Sequence, residues 1–222
     1  MSKDKINREL ILYSFRRCPF AIRARLSIYY SKIRCQIREI SLKKKPPEFI
    51  SLSPKATVPV LLKEDHSVID ESIDIVKWIL SQSDPNELLI PLHDKNEDVD
   101  YFISLFDNKF KFHLDRYKYS SRYDSAEKNK HRDAASEILE LFDDKITDTG
   151  FVYGNKISVY EVCILPLVRQ FMIADPEWFE GHFRFEKVKK SLKSFIDSDA
   201  FKVTMKKYDE WINDRSKIEY FP

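Results

Sequence analysis

Leu10-Ile11-Leu12-Tyr13-Ser14-Phe15-Arg16-Arg17-Cys18-Pro19-Phe20-Ala21 decides how the first part of the chain folds. Its first six residues are an apolar and aromatic run that stops sharply at two arginines, the pattern of a short buried strand. From Pro19 the period changes. Ile22, Leu26, Tyr29 and Ile33 recur at three- and four-residue steps, and Ala21, Ala24 and Ile28 widen the same face, which predicts a helix with Pro19 in its first turn. Cys18 falls at the junction, where the first helical N–H groups lack intrahelical partners and the helix dipole favours negative charge. A thiolate is stabilised there, and Arg16, Arg17, Arg23 and Arg25 are close enough in sequence to add positive potential. Reactive cysteines in such settings have pKa values of roughly 3.5–7.5 instead of about 8.5. Burial as an inert thiol is the commoner fate of a cysteine; the strand-to-helix position argues for reactivity here.

Downstream, Cys35 to Ile40 carries a weak strand signal, and Lys43-Lys44-Lys45-Pro46-Pro47 then interrupts regular structure. A short helix is expected from Pro47 to Leu52. Val58-Pro59-Val60-Leu61-Leu62 and Ser67-Val68-Ile69 read as two strands joined by the polar Lys63-Glu64-Asp65-His66. Ile73, Val76 and Leu80 mark a helix ending near Ser83. The order is βαβ, a connection, ββ and a closing helix, in which only the first two strands have a crossover long enough to be parallel. Among small folds that order points to a thioredoxin-like α/β domain over residues 1–83.

Residues 84–94, with Pro85 and Pro91, read as a linker, after which helical spacing dominates. Residues 95–222 are expected to form an all-helical domain. Phe102, Phe106, Phe110, His113 and Tyr117 give one long helical stripe, and Ala135, Ile138, Leu139 and Phe142 a second. Ser158-Val159-Tyr160-Glu161 has the form of a capping box opening a third helix. Two further amphipathic stretches follow, around Val188 to Ile196 and Phe201 to Ile212.

Composition removes several function classes. The 222 residues are 43% hydrophobic and 33% charged, which suits a globular chain. A net charge of +2, from 38 basic and 36 acidic residues, leaves no excess to hold nucleic acid. Met1-Ser2-Lys3-Asp4-Lys5 lacks the apolar core of a signal peptide, and no run approaches the roughly 18 apolar residues of a membrane span. The expectation is a cytoplasmic protein without membrane attachment. Three glycines, Gly150, Gly154 and Gly181, are too few and too scattered for a phosphate-cradling loop. The five histidines show no metal-ligand spacing, so no metal is expected. Cys18, Cys35 and Cys163 form no CxxC pair and read as free thiols.

Because Cys18-Pro19-Phe20-Ala21 has no second cysteine, a mixed disulfide on Cys18 needs an outside thiol to resolve it. Glutathione is the obvious supplier. Pro59 opens a strand, and a cis Val58–Pro59 bond would offer the Val58 backbone to an extended peptide; trans is the commoner state. Glu71-Ser72 opens a helix whose first N–H groups and Ser72 hydroxyl suit a carboxylate, while Glu71 suits an ammonium. Plain helix capping by Ser72 accounts for the same residues.

Together, Cys18-Pro19-Phe20-Ala21, Thr57-Val58-Pro59-Val60-Leu61 and Asp70-Glu71-Ser72, in this order and spacing, resemble the cytosolic glutathione transferases. The likeness extends over the whole chain, with the Ser158-x-x-Glu161 box and Pro166-Leu167-Val168-Arg169-Gln170-Phe171 matching the family's helical domain. The cysteine is similar to that of the omega-like and glutaredoxin-like members. The resemblance implies that Cys18 is catalytic, that Phe20, Val58 and Pro59 bind glutathione, that Glu71 and Ser72 hold its γ-glutamyl end, and that Lys45 pairs with its glycyl carboxylate. It implies a homodimer and a second-substrate pocket lined by the helix of His113 and Tyr117. Glutathione-dependent thiol transfer is the expected activity, with conjugation to small electrophiles or a non-catalytic binding module as alternatives. Many relatives carry glycine where Ala56 stands, and alanine there is strained if the loop requires positive φ.

Overall fold

In the computed structural model, which describes residues 9–95, 97–212 and 218–222, the opening apolar run forms strand β1 (Ile11–Ser14). The Met1–Lys5 stretch lies outside the described residues. The chain divides into two units, one running to Asn86 and resuming at Asp199, the other Glu87–Ser198.

In the first unit, β1 is followed by α1 (Pro19–Ser31), β2 (Cys35–Glu39), α2 (Pro47–Leu52), β3 (Val60–Leu62), β4 (Val68–Ile69) and α3 (Ser72–Gln82). Helix α1 starts with Pro19 at its first position, where the missing N–H costs nothing, and stops at Lys32, which takes a left-handed φ of 62°. The expected pairing is observed: β1 runs parallel to β2, with Leu12 opposite Ile37, and β3 is antiparallel to both β1 and β4. This is the thioredoxin-like arrangement. Alternation along β1 divides the core. Leu12 packs with Ala24, Ile28, Ile75 and Ile79 on the face covered by α1 and α3, whereas Tyr13 packs with Phe49, Val58 and Val60.

The second unit contains α4 (Ile90–His93), α5 (Val99–Leu105), α6 (Lys111–Lys118), α7 (Lys128–Lys145), α8 (Val159–Ala174), α9 (Pro176–Gly181) and α10 (Glu186–Asp197). The long stripe from Phe102 to Tyr117 is not one continuous α-helix. Between α5 and α6, Phe106–Phe110 widens into a π-helical turn in which the Lys111 N–H donates to the Phe106 carbonyl five residues back. Phe102, Phe106 and Phe110 are spaced by four residues, a step that drifts around an α-helix by about 40° each time. The wider turn absorbs that drift and keeps Phe106 and Phe110 buried in contact, with ring centroids 4.7 Å apart. Phe142 of α7 and Phe171 of α8 complete this aromatic core. The capping box at α8 forms: Ser158 accepts from the Tyr160 N–H, and Glu161 accepts from the Ser158 N–H at 2.8 Å. Glu161 also accepts from the Val152 N–H at 2.7 Å, so the buried carboxylate fixes the preceding loop as well as the helix start.

The chain from Phe201 to Ile212 departs from the helix expected of its amphipathic spacing. Only α11 (Asp199–Thr204) is helical, and the segment belongs with the first unit. Buried Arg25 on α1 donates to the carbonyls of Thr204 at 3.0 Å and Lys206 at 3.5 Å, capturing acceptors that a continuing helix would use. Tyr208 then enters the α1 and α3 side of the core, and Trp211 stands edge-on to Tyr13. Finally β5 (Glu219–Phe221) adds antiparallel to β2, with Cys35 opposite Phe221, giving the sheet order β4-β3-β1-β2-β5. Among the described residues no helix is long and apolar enough to cross a membrane.

Candidate functional site

Cys18 is the N-cap residue of α1, in extended conformation at φ −75° and ψ 124°. Its N–H donates to the Phe15 carbonyl at 2.9 Å, and its own carbonyl accepts the first helical bond from Ile22 at 3.0 Å. Strand, tight turn and helix thus hold the residue rigidly while its side chain stays half-buried. The thiol is directed at the neighbouring loop, with Sγ 3.6 Å from the Val58 carbonyl oxygen. The Val58–Pro59 peptide is cis, and both residues are buried. Sequences 40 residues apart are thereby joined at one point.

The four arginines near Cys18 have separate roles. Arg25 is fully buried and turns to Ser14, Glu39 and the C-terminal segment. Arg23, also fully buried, lies over the Phe20 ring at 5.0 Å and donates to the Ser72 hydroxyl at 3.3 Å. It therefore ties the start of α1 to the start of α3. The Arg16 N–H donates to Glu39 at 2.5 Å, anchoring the turn ahead of Cys18 to the end of β2. Arg17 is exposed and its guanidinium lies 5.3 Å from the Phe15 ring centroid.

Glu71, not Ser72, is the N-cap residue of α3, and no side chain caps that helix. Ser72 is the first helical residue and is 7% exposed, so its hydroxyl is committed to Arg23 instead of the helix end. Lys55 reaches across from the loop before Val58. Its Nζ lies 2.6 Å from Glu71 Oε1 and 3.1 Å from Asp70 Oδ1, and Ser53 donates to the other Asp70 oxygen at 2.9 Å. Burial would raise the Asp70 carboxyl, but hydrogen bonds from Lys55 and Ser53 outweigh it and hold the group below the usual carboxylate range. Ala56, one residue on, has φ 51°, the left-handed conformation that glycine adopts at less cost. Lys45 sits partly exposed just before Pro46, which opens α2.

The first unit thus gathers Cys18, Phe20, Val58, Pro59, Glu71 and Ser72 around the starts of α1, β3 and α3. His113 and Tyr117 lie on α6 of the second unit. His113 Nδ1 is 2.9 Å from His131 Nδ1, and burial, followed by the neighbouring His131, lowers its pKa. Tyr117 is 1% exposed, its hydroxyl has no hydrogen-bond partner among the described residues, and burial pushes that hydroxyl up to about 12. Among the described residues no group of three or more potential metal ligands converges. Arg23, Glu39 and Lys55 are contributors that sequence spacing did not reveal as such. Their partners lie 14 to 49 residues away, a separation that no local pattern encodes.

Residues 12–87 match the family model described as glutathione S-transferase, N-terminal domain. The probable glutathione S-transferase DHAR2, chloroplastic, of Oryza sativa subsp. japonica is 25% identical over 196 residues, covering 85% of this chain and 65% of that protein. Glutathione S-transferase omega-1 of Sus scrofa is 38% identical over 80 residues, covering 36% of this chain and 33% of that one. A glutathione transferase family member from Pseudomonas fluorescens pf-5, solved with two glutathione bound, superposes with a TM-score of 0.75. It covers 90% of this chain and 94% of that chain at 16% identity, a likeness of fold. The fold and the first unit's residues define a thioredoxin-like domain joined to a helical one. Residues 12–87 are thus similar to the N-terminal domain of glutathione S-transferases, and the curated relatives that the chain resembles include omega-class and DHAR glutathione S-transferases. It spans about two-thirds of the length of the rice relative and a third of the pig one.

Proposed function

We propose that the protein is a glutathione-dependent thiol transferase in which Cys18 is the nucleophile. The observation that carries this reading is the Cys18 thiol at the N-terminus of α1, half-buried, with no CxxC partner. Cys35 and Cys163 are free but buried, and burial pushes the Cys35 thiol up to about 12, so neither suits a resolving role.

In the proposed cycle the Cys18 thiolate attacks one sulfur of a disulfide or glutathionylated substrate. A mixed disulfide forms on Cys18 and the other sulfur leaves as a thiolate that takes up a proton. Glutathione thiolate then attacks the outer sulfur of the mixed disulfide, forming a new disulfide with it, which is glutathione disulfide where that sulfur is glutathione's own, and Cys18 leaves as the thiolate. Glutathione would be held by Phe20, by the Val58 backbone beside Pro59, and by Lys45 at its glycyl carboxylate. Glu71 would take the γ-glutamyl ammonium and Ser72, with the first N–H groups of α3, the carboxylate. The second-substrate role is assigned to His113 and Tyr117 on α6 by the resemblance to the family's helical domain. A homodimer in the cytoplasm completes the proposal; a reducing compartment suits three free cysteines.

The test is glutathione-dependent reduction of a disulfide by the native protein and by Cys18→Ser. Loss of activity in the variant is expected. Equal activity would overturn the reading, and a variant that retains or gains conjugation of glutathione to an electrophile would favour plain conjugation. A native protein that binds no glutathione in calorimetry would leave a non-catalytic module.

A further inference from the structure

Resting on the glutathione reading above, we propose that Lys55 is a built-in competitor for the ammonium subsite: its Nζ occupies Glu71 in the free protein and must yield that carboxylate to a γ-glutamyl ligand. The geometry is specific. Lys55 Nζ lies 2.6 Å from Glu71 Oε1, the contact distance a ligand ammonium would need. One carboxylate oxygen cannot hold two ammonium groups at that range without placing like charges side by side.

The arrangement also supplies a place for the displaced lysine. Asp70 Oδ1 is 3.1 Å from the same Nζ, and the Ser53 hydroxyl fixes the Asp70 carboxylate from its other oxygen. Lys55 therefore leaves Glu71 without leaving the site. It retains its bond to Asp70 and its positive charge stays near the ligand's α-carboxylate. The lysine side chain is 53% exposed and Glu71 59%, so the exchange takes place at the surface and the displaced pair is a weak one. Exposed pairs of this kind alter equilibria by about two- to fivefold.

The consequence is selectivity by charge. A ligand bearing the α-ammonium pays for displacing Lys55, whereas a ligand without it leaves Lys55 on Glu71. Removing the lysine charge should therefore favour the ammonium-bearing ligand selectively. The experiment measures, by calorimetry, dissociation constants for glutathione and for glutaryl-cysteinyl-glycine, which is glutathione without its α-amino group. The proteins are the native chain, Lys55→Met, Lys55→Gln, Glu71→Gln and Glu71→Gln/Lys55→Met.

The ratio of the analogue's constant to that of glutathione is expected to rise about two- to fivefold in both Lys55 variants. It should not change between Glu71→Gln and the double variant, because the contested carboxylate is then gone. An unchanged or lower ratio in Lys55→Met and Lys55→Gln, with glutathione still bound by the native protein, overturns the competitor role alone. A native chain that binds neither ligand overturns the glutathione reading and this proposal with it.

Discussion

Arg25 and Glu39 meet as an ion pair inside the first unit, with the arginine side chain fully buried and the glutamate 13% exposed. Burial lowers the Arg25 pKa and raises that of Glu39, and each partner opposes the shift of the other. Glu39 also accepts the Arg16 N–H ahead of Cys18, while its carbonyl accepts the Trp211 N–H at 2.7 Å. One residue therefore joins the turn before Cys18, helix α1 and the C-terminal segment. Glu39→Gln keeps the shape but strands a buried guanidinium, and should lower unfolding stability by about 3–5 kcal/mol. Urea titration reads this directly; a loss under about 1 kcal/mol would contradict the pair's structural role.

Ala56 sits at φ 51°, where its Cβ crowds the backbone. A left-handed residue other than glycine costs about 1–2 kcal/mol, and glycine returns part of that gain as unfolded-state entropy. Ala56→Gly is expected to stabilise the protein by about 0.5–1 kcal/mol, seen as a higher urea midpoint at unchanged slope. A lower midpoint would show that the loop does not carry this strain.

The three thiols differ in reach. Cys18 is half-buried, Cys35 is 1% exposed and Cys163 is fully buried. Brief iodoacetamide treatment at neutral pH should give a single adduct at Cys18, and treatment in urea adducts on all three, as read by peptide mass spectrometry. Native labelling of Cys35 would contradict its burial.

His113 contributes a pH dependence of definite sign. Burial lowers its pKa, and His131, Lys109 and Arg116 add to the effect while Glu137 opposes it. In the unfolded chain its pKa is about 6.5, so as pH falls through that value the unfolded state binds the proton first. Stability therefore declines from about pH 7 downward, until folded His113 also titrates. The urea midpoint should be lower at about pH 5.5 than at about pH 7.5. His113→Gln should shrink that difference without abolishing it, because burial also lowers His182. An undiminished difference in the variant would remove His113 from the account.

The first 83 residues were largely legible because strand runs, helical periods and proline breaks are local signals. The run at Leu10–Phe15 shortened only at its ends, and α2 spans Pro47–Leu52 as expected. The capping box at Ser158 was equally readable, since its two members lie within one helical turn. Where the sequence misled, the deciding partner was remote. Phe201–Ile212 has helical spacing, yet Arg25, about 180 residues earlier, takes the carbonyls at Thr204 and Lys206. Ser72 reads as a cap, yet Arg23 claims its hydroxyl from 49 residues away. Lys55 gave no signal at all, because its acidic partners come into reach only when the loop before Val58 folds back on the start of α3.

The strand β5 bears on colloidal behaviour as well as on architecture. An open sheet margin is a row of unsatisfied donors and acceptors on which another chain can grow. Glu219–Phe221 covers that margin along β2, and the opposite border, β4, offers only Val68 and Ile69 as a template. The border is thereby narrowed from the five residues of β2 to the three of β5, and a form without Glu219–Phe221 would expose as its edge the strand that holds Cys35 and Glu39.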